Sequence, residues 1–324
     1  MNRTVSIFIV NYNTCEFLEQ CLESIFDTRD DLRIEVFVAD NNSSDGSPEM
    51  VKTKFPQVRL TEYPENLGYS KSINPLLPLA SGNYYLFLHP DVKMLSNAFK
   101  HFLEFFESHP QAGIVGGNLY YPDGTPNPCE VLWPGFANDL LSFTVRIFSR
   151  LPPGRKLLEN YNPTEWSHKS TCLVNAVWNA CMMVRKEVFD EIGCFDEALF
   201  YGSSDWDLCK RAAHAGWLAY YLHPAKAIHY ERQSFGKDES IRDEIRYKVD
   251  GWHSALWIYK DRYVFLKKHC SSAAILGVKA VYFMENMARL WLICWNIALR
   301  RVTPERASFS IGACLRTLQA ILKT

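Results

Sequence analysis

Short apolar runs alternate with helix-type patterns over the first 125 residues, and this alternation restricts the chain to a small group of folds. Between the runs, apolar residues such as Leu18, Cys21, Leu22 and Ile25 recur at the three- and four-residue spacing of an amphipathic helix. Strands joined by helices predict an α/β fold with a mostly parallel central sheet flanked by helices. The predicted strands are residues 6–10, 34–39, 58–63, 84–88 and 114–121.

Proline and small polar residues set several of the predicted helix boundaries. The Ser47-Pro48 pair supplies a cap and a proline at the first helical position. Pro75 and Pro78 predict an interruption in the helix that starts near Tyr69, because proline lacks the N–H that a helix interior needs. Ser96 is predicted to cap the helix that follows the fourth strand.

The alternation stops after residue 125. Residues 126–172 are rich in proline and aromatic residues, and an irregular stretch of this length predicts a lid, a binding loop or a disordered segment. Order is predicted to return from residue 174, with a short final strand at 225–229. A helical C-terminal extension is predicted for residues 241–324, with helical patterns at 244–268, 273–301 and 304–322.

Charge and cysteine placement exclude several classes of function. The 35 Lys and Arg and 36 Asp and Glu leave a net charge of −1, so no basic field predicts nucleic-acid binding. The ten cysteines form no CxxC pair, which argues against a zinc site and favours reduced thiols in the cytoplasm. The first residues lead into a strand without a signal-peptide pattern. Charged residues interrupt the apolar stretch at 273–299, so no membrane span is predicted.

Three acidic loops lie where ligands bind in folds of this kind. Residues 40–45 and 89–91 each follow a predicted strand, and residues 204–207 open a predicted helix. Ligands of open α/β sheets bind outside the carboxyl ends of the strands. Asp91 is therefore suited to hold a divalent cation through oxygen, and Asp205 is suited to act as a general base.

Six motifs occur in a fixed order along the chain, at residues 5–13, 38–47, 65–69, 88–91, 188–197 and 200–211. This ordered set resembles the family-2 glycosyltransferases, and in particular the bacterial rhamnosyltransferase-like branch that builds cell-surface polysaccharides such as O-antigen. The similarity covers roughly residues 5–236.

The resemblance implies a GT-A fold with a Rossmann-like sheet, and inverting transfer from a nucleotide sugar. The implied donor is a dTDP- or UDP-sugar, with rhamnose as the candidate sugar, and the implied acceptor is a glycan or a polyprenyl-linked glycan. The catalytic domain is then expected at residues 1–240. Its nucleotide-sugar half would cover about 1–125 and its acceptor half about 126–240.

Carried over position by position, the resemblance also implies site residues. Asp205 falls on the catalytic base, and Asp91 on the last residue of the metal-binding motif, with His229 as a second ligand for Mg²⁺ or Mn²⁺. Trp178 and Asn179 are assigned to the acceptor because tryptophan stacks well on sugar faces. The residues assigned to the nucleotide are Asn11, Tyr12, Asp40, Asn66 and Gly68.

The motifs depart from the family pattern at two positions. The metal motif reads His-Pro-Asp, and His89 is interpreted as a turn-facing side chain outside the metal shell. Ser204 replaces the usual acidic neighbour of Asp205, which removes a like charge that would raise the pKa of the base. Asp207 is interpreted as a structural partner of Lys210 or Arg211.

Some alternatives stay open at the level of sequence. Asp45 and Ser43 fit either a turn or a site. The helical tail fits either a face packed on the catalytic domain or on the second subunit of a homodimer, or a helix at the inner membrane surface. The membrane interpretation uses apolar Leu290, Trp291, Ile293 and Trp295 beside Arg289, Arg300 and Arg301.

Two other function classes compete with the transferase. A sugar nucleotidyltransferase would need a glycine-rich, basic phosphate loop after the first strand, and Asn11-Tyr12-Asn13-Thr14 is neither. A non-catalytic carbohydrate-binding or scaffold protein derived from a transferase remains the alternative.

Overall fold

The structure is a computed structural model that divides into two compact units. The sheet unit comprises residues 1–132, 164–200 and 204–234, and the helical unit comprises 133–163, 201–203 and 235–324. The residues that the structure describes are 4–29, 31–127, 130–131, 133, 135–148, 170–200, 202–230, 250–298, 311–312, 314–319 and 321.

Strands and helices alternate through the first part of the sheet unit. The strands are β1 (Thr4–Asn11), β2 (Arg33–Asp40), β3 (Arg59–Glu62), β4 (Tyr84–Leu88), β5 (Val92–Met94), β6 (Ala112–Tyr120), β7 (Pro126–Asn127), β8 (Glu130–Val131), β9 (Cys172–Val174), β10 (Ala176–Val177), β11 (Cys181–Arg185) and β12 (Leu218–His229). The helices are α1 (Cys15–Thr28), α2 (Ser47–Lys54), α3 (Tyr69–Ile73), α4 (Ala98–Ser108), α6 (Lys186–Ile192) and α7 (Ser204–His214). The helical unit contains α5 (Phe136–Phe148), α8 (Asp250–His269) and α9 (Ser272–Ala298).

The main sheet has the strand order β3-β2-β1-β4-β11-β6-β12-β5 over the described residues. β1 pairs in parallel with both β2 and β4, β2 with β3, and β6 with β12. β11 lies antiparallel between β4 and β6, and β5 pairs antiparallel with the end of β12. The carboxyl ends of the parallel strands β1, β2 and β4 therefore lie at one edge of the sheet. This is the edge where the sequence predicts the acidic loops.

Both faces of the central strand β1 are buried, as expected of an interior parallel strand. Ile7 and Ile9 belong to the core cluster that also contains Leu22 of α1. On the opposite face, the ring of Phe8 stacks on Phe37 at 5.1 Å and on Phe87 at 5.3 Å between centroids. The period-2 alternation of side chains accounts for this division.

Several local predictions are confirmed and several are wrong. The helix at Tyr69 ends at Ile73 and continues as a 3₁₀ turn over Asn74–Leu79, because Pro75 breaks the α-helical hydrogen bonds. Ser96 does not cap α4: Asn97 occupies that position with φ of 65°, a conformation that asparagine tolerates. The short strand β5, between the metal motif and α4, was missed.

Two longer stretches also differ from the prediction. Residues 126–172 were predicted to be irregular, yet they contain the 13-residue helix α5, whose helical spacing was hidden by the surrounding prolines and tryptophans. The last strand begins at Leu218 and not at residue 225. Its register with β6 shifts between Leu222 and Lys226, where Pro224 interrupts the ladder, and this irregularity obscured the first half.

The helical unit has its own internal contacts. Arg262 of α8 forms an ion pair with the buried carboxylate of Asp139 on α5. A Cβ atom on Gly277 of α9 would lie 2.5 Å from the ring of Phe136, so that glycine permits the close approach of these two helices. Among the helices that the structure describes, none is both long enough and apolar enough to cross a membrane.

Candidate active site

The ends of β1 and β2 are joined by a polar network. Asn11 and Asp40 lie side by side in the register of the two strands, and Asn11 Nδ2 donates to Asp40 Oδ1 across 2.7 Å. The backbone N–H of Ser43 donates to the other carboxylate oxygen at 2.9 Å. Asn11 is fully buried, so it braces Asp40 and does not face solvent. Tyr12, the next residue, is half exposed at the same edge.

The loop before α3 reaches the segment that leads to Asp205. Asn66 Oδ1 accepts the N–H of Gly68, and the carbonyl of Gly68 accepts the hydroxyl of Ser72 at 2.6 Å. Gly68 has φ of +77°, and a Cβ atom there would lie 2.5 Å from the carbonyl oxygen of Phe200. The glycine is therefore required both by its backbone conformation and by this contact.

Three side chains that could hold a metal ion meet beside β5. The ligand atoms of His89, Asp91 and His229 all lie within 4.8 Å of one another. His89 and Asp91 come from the turn between β4 and β5, and His229 comes from the end of β12, where it pairs with Val92. The sequence interpretation left His89 outside this group. In the structure, a tight turn places the side chain of His89 beside Asp91 and His229. The N–H of Val92 donates to the carbonyl of His89 at 3.2 Å and closes this turn.

The chemistry of this cluster suits a divalent cation. Burial alone would raise the pKa of Asp91, but the hydrogen bond from His229 and the charges of both imidazoles lower it below its ordinary value. Asp91 is thus held as a carboxylate, which is the form that binds metals. His229 Nε2 lies 3.3 Å from Asp91 Oδ1.

Asn127 supplies a second observation in favour of a metal at this cluster. Its Nδ2 lies 3.2 Å from His229 Nδ1, while its buried Oδ1 has no hydrogen-bond partner. The two ends of an amide differ little in shape. With the amide turned over, Oδ1 would accept a hydrogen bond from Nδ1–H, and the lone pair on Nε2 of His229 could then bind a cation in place of its present hydrogen bond to Asp91. This is the tautomer that binds a metal through Nε2.

Asp205 lies in the first turn of α7 and is almost fully buried. Burial raises its pKa from 3.8 to about 6, and backbone donors partly oppose that rise. Those donors include the N–H of Trp206 at 2.8 Å and the N–H of Asn179 at 3.4 Å. The sequence predicts no rise in this pKa from a charged neighbour, and burial raises it instead. A pKa near neutrality suits a general base.

Asn179 connects Asp205 to the group of His89, Asp91 and His229, called here the metal-type cluster. Its Oδ1 lies 3.0 Å from His89 Nε2, and its Nδ2 lies 3.5 Å from Ser204 Oγ. The neighbouring Trp178 is half buried and packs against the main core.

Tyr69 is a residue beside Asp205 that the sequence did not single out. Burial, and then the charge of Asp205, raise the pKa of its hydroxyl well above the usual range. Its position directly after the Asn-Leu-Gly motif was the available signal.

Three polar residues near these loops have structural partners. Asp207 is fully buried and binds Arg211 Nε at 2.7 Å, which confirms its interpretation as a structural residue. Asp45 accepts the N–H of Cys15 at 2.7 Å and that of Ser47 at 3.1 Å. The hydroxyl of Ser43 accepts from Asn11 Nδ2. These contacts favour the turn interpretation for Asp45 and Ser43.

Comparison with known proteins identifies the family. Residues 6–193 match the family described as glycosyl transferase family 2, which is more than half of the chain. The chain belongs to this family. It is therefore a glycosyltransferase, and its α/β architecture, with a mostly parallel sheet flanked by helices, is the GT-A fold that the motifs implied.

Individual relatives of this family-2 glycosyltransferase include a rhamnosyltransferase. The N-acetylglucosaminyl-diphospho-decaprenol L-rhamnosyltransferase of Mycobacterium tuberculosis is 26% identical over 275 residues, covering 79% of this chain and 87% of the relative. The O-antigen biosynthesis protein RfbC of Myxococcus xanthus is 26% identical over 71% of this chain but only 17% of its own length. The crystal structure of GalNAc-T7 with UDP, GalNAc and Mn²⁺ has a TM-score of 0.52 at 13% identity, covering 80% of this chain and 51% of that one, and shows likeness of fold.

Proposed function

We propose that this glycosyltransferase moves a sugar, with inversion at the anomeric carbon, from a nucleoside-diphosphate sugar to a hydroxyl group of a glycan or polyprenyl-linked glycan. The observation that carries the proposal is the buried carboxylate of Asp205, whose pKa of about 6 leaves it ionised yet basic at neutral pH. The rhamnosyltransferase relative favours rhamnose as the sugar and a diphospho-polyprenol glycan as the acceptor. The family resemblance favours dTDP or UDP as the nucleotide of the donor.

The donor nucleotide is assigned to the edge formed by β1, β2 and the loop before α3. The exposed ring of Tyr12 offers a face for the base, and Asp40, held by Asn11, offers carboxylate oxygens to the base or ribose. Asn66 and Gly68 present the backbone of the adjoining loop. A nucleotide sugar is large, and a rigid backbone frame around it lowers the entropy lost on binding.

The diphosphate is assigned to the side of the site that holds His89, Asp91 and His229. A divalent cation bound by these residues would neutralise negative charge on the leaving nucleoside diphosphate. Magnesium strongly prefers oxygen ligands, whereas a set with two imidazole nitrogens and one carboxylate suits manganese better. We therefore expect Mn²⁺ to bind more tightly than Mg²⁺.

Asp205 takes the proton from the acceptor hydroxyl as that oxygen attacks the anomeric carbon, and the nucleoside diphosphate departs from the opposite side. The backbone N–H groups of Trp206 and Asn179 fix the carboxylate for this step. Trp178 and Asn179 are assigned to the acceptor, next to the base. In this assignment residues 1–240 form the catalytic domain and residues 241–324 extend it.

A panel of nucleotides and an Asp205→Asn variant test this function together. Thermal shifts with dTDP, UDP, GDP and CMP, each with Mn²⁺, Mg²⁺ or EDTA, should show one nucleotide whose stabilisation depends on metal, because a ligand of the folded state raises its apparent stability. Asp205→Asn should keep that shift. Its transfer of labelled sugar from the matching donor should fall by about 10³-fold or more.

Different failures have different meanings. Near-normal transfer by the Asp205→Asn protein would remove Asp205 as the base. Absence of a shift with every nucleotide, in a folded wild-type sample, would favour the non-catalytic carbohydrate-binding alternative. A shift without transfer would direct attention to the choice of sugar and acceptor.

A further inference from the structure

Helix α9 of the helical unit carries an exposed row of apolar side chains, called here the α9 stripe. The spacing of four and seven residues places the members on one side of the helix over a length of about 28 Å. Ala280 and Cys294 lie on the same side, so no charged residue interrupts the row. The stripe consists of Leu276, Phe283, Met284, Met287, Trp291 and Trp295, with 69%, 42%, 43%, 39%, 63% and 53% of each residue exposed.

The other side of α9 is already covered. Val278 and Val281 are buried, and Leu290 packs with the small cluster of Leu318 and Ile321. Leu290 therefore lies on the partly buried side of α9 and not among the exposed residues, where the membrane interpretation of the sequence placed it. Helix α9 is therefore apolar on two sides, and one of these sides is exposed. A continuous row of exposed apolar side chains usually marks an interaction surface.

The tryptophans identify the kind of surface. The rings of Trp291 and Trp295 stack at 5.8 Å between centroids with an angle of 16°, both more than half exposed. Tryptophan combines a large apolar ring with one polar N–H group and is enriched where membrane meets water. Glu285 and Arg289, which form an ion pair at 2.8 Å, keep another side of the helix polar, as binding in the plane of a membrane surface requires.

Charge distinguishes a lipid surface from a second copy of the chain. Residues 250–324 contain eleven Lys and Arg and four Asp and Glu, a net charge of +7 in a chain whose total is −1. Lys267, Lys268 and Arg289 are exposed among the described residues. Two such segments would repel one another, whereas anionic lipid headgroups attract each basic residue near the surface.

We propose that the α9 stripe docks on an anionic phospholipid bilayer, with Trp291 and Trp295 in the headgroup layer and the basic residues of the segment near the lipid phosphates. This docking is independent of the nucleotide assignment. It would concentrate the enzyme at the surface that holds a lipid-linked acceptor, which is one of the two acceptor classes in the proposed function.

The test is vesicle flotation of the full chain. Vesicles of phosphatidylcholine alone are compared with vesicles that also contain phosphatidylglycerol. The wild type should float with the anionic vesicles and be released by high salt. The double variant Trp291→Ser with Trp295→Ser should bind at least about tenfold more weakly, because two interfacial rings are lost.

A matched control removes exposed apolar residues elsewhere. Leu79 and Leu173 of the sheet unit are 58% and 57% exposed, and the Leu79→Ser with Leu173→Ser variant should bind vesicles like the wild type. Equal binding by the two double variants, or no binding of the wild type, overturns the proposal. A dimer that dissociates only in the tryptophan variant, without vesicle binding, would assign the stripe to a second copy. Nucleotide-induced thermal shifts on the same samples report on the donor site separately.

Discussion

The backbone N–H of Asn179 lies 3.4 Å from Oδ2 of Asp205. In the side chain of the same asparagine, Oδ1 lies 3.0 Å from His89 Nε2. One residue thus contacts both the carboxylate assigned as the base and a side chain of the metal-type cluster, through different chemical groups. A substitution can remove one of these contacts and keep the other.

Asn179→Ala should weaken metal binding without changing the base. The side-chain contact that holds the ring of His89 is lost, and the loss of such a supporting partner lowers metal affinity by about 10-fold or more. The backbone donor to Asp205 remains, so the pKa of the base in the pH–rate profile should stay where it is in the wild type. Titration calorimetry with Mn²⁺ in the presence of nucleotide, together with that profile, measures both effects. An unchanged Mn²⁺ affinity would mean that His89 does not depend on Asn179.

Asn127→Ala should lower Mn²⁺ affinity by about 10–100-fold, because His229 would lose the amide that sets its tautomer. Asn127→Asp should preserve the affinity, since either carboxylate oxygen can accept the hydrogen bond from Nδ1–H without the side chain having to turn over. The control is Asn118→Ala: Asn118 is equally buried, but its amide binds Tyr120 and the carbonyl of His223. That variant should lose stability and keep its metal affinity. Equal Mn²⁺ affinities for the Asn127→Ala and Asn118→Ala proteins would contradict the role given to Asn127.

The rate of transfer should depend on pH through Asp205. Because burial raises the pKa of this carboxylate to about 6, kcat/KM should be constant above about pH 7 and fall about tenfold per pH unit well below pH 6. The measurement is kcat/KM for the acceptor between pH 5 and 8.5 at saturating Mn²⁺. A profile that stays flat down to pH 5 would contradict the raised pKa and indicate a solvent-exposed base.

The sequence predicted the positions of the strand ends better than the contacts between side chains at those ends. The buried runs before Asp40 and Asp91 made the strands and their acidic ends visible, and the strand at Tyr84–Leu88 is confirmed without a change in its bounds. Contacts between distant segments carry no such local signal. The approach of His89 to Asn179 depends on β11 lying antiparallel beside β4, with the N–H of His89 bonded to the carbonyl of Ala180 at 3.1 Å.

Burial is the second property that local patterns could not supply. The absence of an acidic neighbour at Ser204 argued for an ordinary pKa at Asp205, whereas desolvation dominates. In the same way, Leu290 and Trp291 are adjacent in the sequence, yet one faces the interior and the other is 63% exposed. Only the positions of helices relative to one another within the unit decide such cases.

Gly68→Ala should destabilise the fold and abolish the nucleotide-dependent shift. The new Cβ would meet the Phe200 carbonyl at 2.5 Å in addition to the strain of φ at +77°. Gly193 provides the matched control, with φ of +78° and no atom within 4 Å of its would-be Cβ. Gly193→Ala should cost about 1 kcal/mol from strain alone, and Gly68→Ala at least about 2 kcal/mol more, measured by urea unfolding. Equal costs would show that Phe200 moves away freely.

Asp205→Asn should stabilise the protein at pH 8 while it removes activity. The unfolded chain releases the Asp205 proton near pH 3.8 and the folded protein holds it up to about pH 6. The folded state therefore binds more protons within that window, and stability falls as the pH rises through it, by up to about 3 kcal/mol. Asparagine carries no charge to bury, so the variant should match the wild type near pH 4 and exceed it at pH 8 in urea unfolding.

The neighbouring carboxylate gives the opposite sign and serves as the control for that measurement. Asp207 is fully buried and paired with the partly buried Arg211, so Asp207→Asn should destabilise the protein at pH 8 by up to about 3 kcal/mol, because the guanidinium loses its carboxylate. Two carboxylates two residues apart on one helix would then differ in what burial does to them: one is stabilised by a partner, and the other is kept at a cost in stability that its assigned chemistry requires. If Asp205→Asn is less stable than the wild type at both pH values, the carboxylate is a structural group, and the general base must be sought elsewhere.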